Sequence, residues 1–306
     1  MAGPQISRLI KTIRERLEKA SAELVFYPDD HRYEFRGNEL VSVSQVCRQF
    51  APQFDSHGNA KRISEQTGKP VEEILKSWEL NSKRSCDTGT RTHNYAEEKF
   101  YKKTQFPVPA DFVPDSDPAT VPHKKAVDAF WDFLNNDFKS IKYIPVAAEN
   151  KVMNLSLGYA GTFDLLALEV KNGQPNGLVI FDYKTNSNLF NVFKTETMLE
   201  PITDLYNCNA AHYSCQLALY QLALENIFPE LPVVRRVLLW LDNEGASLID
   251  ENSRERFNDA GKKWKFLSPE TIENLKNKFR FRHQKDFATL ALPDIAQTLE
   301  TFLNQK

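Results

Sequence analysis

Asp164 and Asp182 stand in two short apolar runs, Gly158–Leu166 and Leu178–Thr185, and Lys184 follows the second carboxylate by two positions. Side chains alternate along a strand, so Asp182 and Lys184 point to the same face. The link between the runs, Lys171 to Gly177, is dense in turn residues, and the whole reads as a hairpin holding two acids. An ionised carboxylate on a buried strand is costly unless something compensates it, and a divalent metal shared by the two would do so.

Three more places carry residue types that can serve such a site. His93 and Glu97 are four apart in a helical stretch that Thr88 or Thr90 can cap. A carboxylate at Glu97 can orient the imidazole toward a metal, although most helix-borne His/Glu pairs are surface neighbours. Glu149 lies in a strand expected over Ile141–Asn150, where it can face either side. Gln216 and Tyr220 are four apart in a strong helix, Asn209–Phe228, and share one face of it.

The elements that must position these groups are legible from periodicity. Ile6, Leu9, Ile10, Ile13 and Leu17 mark an amphipathic helix over residues 5–22. Short strands near 24–27, 33–35 and 40–43 form a β-meander leading into a helix at Ser44–Phe50, with His31 a solvated turn residue. Residues 59–101 read as mostly helical with a break at Thr67–Pro70, and Val71, Ile74, Leu75 and Trp78 form one packed face, Trp78 in the core. Residues 106–122, rich in proline and aspartate, read as a surface loop, followed by a helix at His123–Phe138 and, beyond the hairpin, a strand at Val233–Leu241. Helix, three strands, helix, strand implies an α/β layer fold with a mixed sheet. Asp250 to the C-terminus reads as a polar helical extension. Within it, residues 261–285 carry eight Lys/Arg against two Glu, a local charge of +6 with interleaved aromatics. That patch fits a phosphate track with stacked bases, and equally a solvated helix face.

A chain of 306 residues, 41% hydrophobic, can bury a large core, and a formal charge of −2 confines any nucleic-acid surface to a local patch. The cysteines at 47, 86, 208 and 215 form no CxxC pair, so neither a zinc ribbon nor a disulfide framework is suggested, and reduced thiols are the default. No apolar run is long enough to span a membrane, no signal-peptide pattern is present, and Glu15 and Glu18 argue against a transit peptide. The expected location is the cytoplasm of a bacterial or phage-infected cell, with no membrane partner.

Taken in order, the helix histidine His93 after Gly89, the GxxD of Gly161–Asp164, the DxK of Asp182–Lys184 and the QxxxY of Gln216–Tyr220 resemble the signatures of the RecB-like branch of the PD-(D/E)XK nuclease superfamily. Within it, His31-Arg32-Tyr33, Ser42-Val43-Ser44 and Ile74 to Trp78 are similar to the front half of phage exonucleases related to the mitochondrial genome maintenance exonuclease. The resemblance spans about residues 24–240. It implies a nuclease core with a central mixed sheet flanked by helices (residues 86–242), an N-terminal helix, meander and helical lobe (1–85), and a helical C-terminal extension (243–306).

For the site, the resemblance implies Mg²⁺ or Mn²⁺ held by Asp164, Asp182, the Tyr183 carbonyl and His93, with Lys184 acting on the water or the phosphate. Gln216 and Tyr220 would line the site, and Glu149 matches a family glutamate near the metal. The implied activity is that of a DNA exonuclease. A structure-specific endonuclease and an inert nucleic-acid-binding protein are the alternatives. Single- or double-stranded DNA is the implied partner, with a recombination or replication protein as a second. No iron–sulfur cluster is expected, because the closely spaced cysteines some relatives carry are missing.

Overall fold

The strand that carries Asp164 runs from Tyr159 to Lys171 (β5) and is buried along almost its whole length, because apolar residues occupy both of its faces. The computed structural model describes residues 3–110, 112–135, 140–189, 196–243, 245–250, 254–258, 265–266 and 295–305. Before β5 come α1 (Pro4–Ser21), β1 (Leu24–Tyr27), β2 (Arg32–Phe35), β3 (Asn38–Ser42), α2 (Val43–Gln49), α3 (Ser56–Thr67), α4 (Val71–Thr104), α5 (Lys124–Leu134) and β4 (Ile141–Asn154). After it come β6 (Gln174–Lys184), α6 (Asn209–Ile227), β7 (Val233–Asp242), β8 (Gly245–Ile249), β9 (Arg254–Asn258), β10 (Lys265–Phe266) and α7 (Ala296–Leu303). The α/β class and the mixed sheet read from the sequence are thus present.

β5 pairs antiparallel with β4 and with β6, and β6 pairs parallel with β7 through the α6 crossover. The meander β1–β2–β3 joins the sheet where β3 runs parallel to the start of β5. On one face a core forms between the sheet and α1, α2, α6 and α7, with Ile13, Leu17, Phe163, Ile180 and Leu217 among its members. The other face packs against α5 and the C-terminal half of α4 through Phe100, Phe130, Trp131 and Phe181. Each layer therefore buries an apolar face that could not stand in water alone.

Several expectations change. The C-terminal region is not purely helical: β8, β9 and β10 extend the sheet antiparallel beyond β7, because Gly245 allows the chain to turn back and the apolar β8 buries itself on the α5 face. The basic aromatic stretch at 261–285 lies, apart from the short β10, outside the described residues. The expected boundaries at 85/86 and 242/243 fall inside α4 and in the β7–β8 hairpin. Trp78 is only half-buried, in a tilted ring contact with the exposed Phe54 rather than sunk in the core. The link from Lys171 contracts to a two-residue turn, Asn172–Gly173, with φ of 52° and 76°, so β6 begins at Gln174.

α4 is a single helix of 34 residues, with Glu72 and Glu73 in its first turn and Lys102 and Lys103 in its last, each at the favourable end of the helix dipole. Thr88 and Thr90 are therefore interior residues and not caps. Thr92 instead folds its hydroxyl back onto the Thr88 carbonyl at 2.8 Å and reaches the Pro122 carbonyl at 3.1 Å. Arg91 grips Asp115 and Thr120, which pins the proline-rich loop against this helix.

Candidate active site

The β5–β6 ladder ends at Leu165↔Phe181, and the next residues in register are Asp164 and Asp182. Beyond that point β5 turns to β3, at Val41↔Tyr159 and Ser42↔Ala160, while β6 continues along β7 to Lys184↔Trp240. The sheet splits where the two carboxylates stand. The backbone groups of Tyr183, no longer taken by β5, find partners in side chains: its N–H donates to Asp164 Oδ2 at 2.5 Å, and its carbonyl accepts from His93 Nε2 at 3.2 Å.

His93 comes from α4, and its second nitrogen, Nδ1, lies 3.3 Å from Glu149 Oε1 and 3.6 Å from Asp164 Oδ1. Glu149 sits in β4 between the paired residues Ala148↔Leu165 and Asn150↔Phe163, hence opposite Asp164. Its φ of 43° places it in the left-handed region, which a non-glycine residue in a strand enters only against strain. Glu97, the partner suggested by helical spacing, accepts instead from Tyr101 Oη at 3.0 Å. The long-range carboxylate orients the imidazole.

His93, Glu149 and Asp164 offer ligand atoms that all lie within 4.8 Å of one another. Asp182 is outside this trio, fully buried (0% exposed), with Lys184 Nζ 2.6 Å from its Oδ2. The contact is an ion pair by distance, but neither carboxylate oxygen receives a hydrogen bond of regular geometry. An orphaned buried oxygen is a position that a cation can complete. Carboxylate oxygens, one imidazole nitrogen and a nearby carbonyl together suit a hard or borderline divalent ion such as Mg²⁺ or Mn²⁺, so the residues present fit the metal.

Charge in the site is strongly coupled. Burial opposes the charged imidazole, but Asp164 and Glu149 outweigh it and raise His93 to about 9. Without a metal, a ring that faces an acceptor on each side is satisfied as the imidazolium, with two N–H donors, and it must give up one of those protons to serve as a ligand. Burial pushes Asp182 up to about 6 even though Lys184 pulls it down, since Asp164 adds its repulsion. Asp164 is likewise raised, by burial first, against the pull of His93. Burial would lower Lys184, yet Asp182 and Asp164 hold its ammonium above the ordinary lysine range. A divalent cation would relieve this excess of acid.

α6 closes the site from the other face. Gln216 Nε2 donates to Tyr220 Oη at 3.1 Å, as one helical turn permits. Tyr220 is buried against β5 because position 161 is glycine: a Cβ there would lie 2.8 Å from the Tyr220 ring and 2.8 Å from Val43. The glycine of the GxxD stretch thus makes room for the tyrosine of QxxxY. Tyr213, one turn before Gln216, lies under Lys184 Nζ, 4.7 Å from its ring centroid, and donates to Asn186 Oδ1 at 2.6 Å. Its place on the Gln216/Tyr220 stripe is the signal that could have found it. Tyr33 of the meander shares a 3.0 Å hydrogen bond with Thr162, a contact that nothing in the sequence announces.

No family model matches the chain, and no curated protein is detectably similar to it.

Proposed function

We propose that this protein is a divalent-metal-dependent deoxyribonuclease of the PD-(D/E)XK type, RecB-like branch, acting as an exonuclease on DNA. The observation that carries the proposal is the gathering of His93, Glu149 and Asp164 within 4.8 Å beside the Asp182–Lys184 pair, at a split in the sheet. Asp164, Asp182, the Tyr183 carbonyl and His93 would hold Mg²⁺ or Mn²⁺, with Glu149 fixing the imidazole. When bound, the cation supplies charge neutralisation at the phosphate and a more acidic water.

The chain's own groups then have separable tasks in hydrolysis, in which water adds to phosphorus and the ester oxygen leaves with a proton. Lys184, a compact ammonium, hydrogen-bonds a non-bridging phosphate oxygen and stabilises the charge that builds there. Asp182 keeps that ammonium aimed into the site. Tyr220 and Gln216 present a phenol and an amide, neutral groups able to position a sugar-phosphate without adding repulsion. The half-open His93, 26% exposed, marks where the substrate reaches the buried carboxylates.

The test uses linear and closed circular DNA, end-labelled oligonucleotides of both strand types, and Mg²⁺, Mn²⁺ or EDTA. Metal-dependent release of nucleotides from linear DNA is expected, with circles spared and with Asp164→Asn, Asp182→Asn and Lys184→Ala slower by about 10²-fold or more. Cutting of circles would assign an endonuclease. Tight binding without turnover in Mn²⁺ would mean an inert binding protein, and full activity in Asp182→Asn would remove the proposal.

A further inference from the structure

Two clefts border this site. One, of about 810 Å³, is lined by Phe26 and Tyr33 of the meander together with Tyr220 and Glu149. The other, of about 590 Å³, opens between α4 and the segment after β6 and reaches His93, Tyr183 and Lys184. Among the described residues, no aspartate or glutamate lines this second cleft, although the chain has more Asp and Glu (41) than Lys and Arg (39). A third groove, of about 1200 Å³, also touches Glu149 but carries Glu15, Glu18 and Glu97 besides.

The described walls of this cleft are hydroxyls and amides, Ser85 and Thr88 from α4 with Asn186, Asn188 and Asn209, and Arg84 adds an exposed cation. Arg84 has no ion-pair or hydrogen-bond partner among the described residues. It precedes His93 by nine residues of helix, roughly 13 Å at 1.5 Å per residue. That is the length of about four stacked nucleotides at 3.4 Å each. A carboxylate-lined groove repels a polyanion, whereas neutral donors with a cation at intervals are what phosphate oxygens accept from.

We infer that the cleft between α4 and residues 185–188 is the track for the phosphodiester backbone of a nucleic-acid strand, with Arg84 as a phosphate contact remote from the reacting centre. This rests on the nuclease reading and adds to it the side from which the strand is held.

Cys86 provides the test, since it lines this cleft and is exposed while Cys47, Cys208 and Cys215 are buried. A 20-mer of oligodeoxythymidine is bound in Ca²⁺, its integrity checked on a gel, and Cys86 is alkylated with N-ethylmaleimide and followed by intact mass. Saturating oligonucleotide should slow alkylation at least about fivefold. By fluorescence anisotropy, Arg84→Ala should weaken binding about fivefold and lower the slope of log Kd against log salt by about 1. Lys11→Ala, in the groove of about 1200 Å³, should leave that slope unchanged. If the wild type binds the strand but Cys86 reacts at an undiminished rate and Arg84→Ala keeps the slope, the track is elsewhere and the nuclease reading stands. If the wild type binds neither this oligonucleotide nor a duplex of the same length, both fall together.

Discussion

The Glu149 carboxylate lies 3.3 Å from Nδ1 of His93, across 56 positions of sequence, and reaches it from a backbone with φ of 43°. Strain of this kind costs on the order of 1–3 kcal/mol and persists only where the surroundings impose it. Here it turns a carboxylate toward an imidazole and a second carboxylate.

Substitution of Glu149 by glycine should move stability and metal affinity in opposite senses. Glu149→Gly relieves the strained φ and removes one of the crowded acids, so its urea midpoint without metal should rise, by about 1 kcal/mol of stability. Its Mn²⁺ affinity, read by calorimetry, should fall about 10- to 100-fold, as should that of Glu149→Gln. A glycine variant less stable than the wild type would show that the conformation is not strained.

Gly161→Ala should force Tyr220 and Val43 apart and destabilise the protein by about 1–3 kcal/mol, measured by denaturant unfolding. Shrinking one neighbour should restore part of this, so Gly161→Ala with Val43→Ala should be less than additive. Strict additivity would deny that the two residues share the space.

Lys184→Met leaves the buried Asp182 carboxylate without its counter-ion, an arrangement that costs about 3–5 kcal/mol where nothing else compensates it. Metal should substitute for the lost ammonium. Thermal scans should show Mn²⁺ raising the Tm of Lys184→Met more than that of the wild type, with about 2.7 kcal/mol gained at 100 times Kd. Equal shifts would separate Asp182 from the metal.

Asp128 on α5 joins Lys99 at 2.7 Å, Tyr95 at 2.8 Å and Lys124 at 3.0 Å, tying α5 to α4 behind the site. Burial pushes its carboxyl up, but the bonds from Lys99, Tyr95 and Lys124 win and hold it below the usual aspartate range. The unfolded chain then binds the proton more readily, so this contribution is complete above about pH 4 and disappears as pH falls through the lower folded value. Asp128→Asn should cost about 0.5–1 kcal/mol at pH 7, the group being a third exposed, and progressively less in acid. Urea midpoints of the two proteins that stay equally far apart at pH 3 and pH 7 would contradict this.

Local periodicity was enough for what depends on local geometry. Asp182 and Lys184 share a face because strand side chains alternate, and Gln216 meets Tyr220 because a helix returns every 3.6 residues. The α/β class and most helices and strands followed from the same patterns. What the sequence could not show is where a pattern gives way to packing. Glu97 has the right helical spacing, yet Glu149 takes His93, because the left-handed turn of β4 and its pairing with β5 deliver that carboxylate from a distance. Gly161 reads as an ordinary glycine until the Tyr220 ring is seen against it. The split between β5 and β6 and the extension of the sheet into β8, β9 and β10 likewise depend on which strands meet. Sequence alone determined the chemical groups and their local spacing. Only the tertiary structure decided which distant groups share one small volume, because that choice is made by pairing register, close packing and the tolerance of a single strained residue.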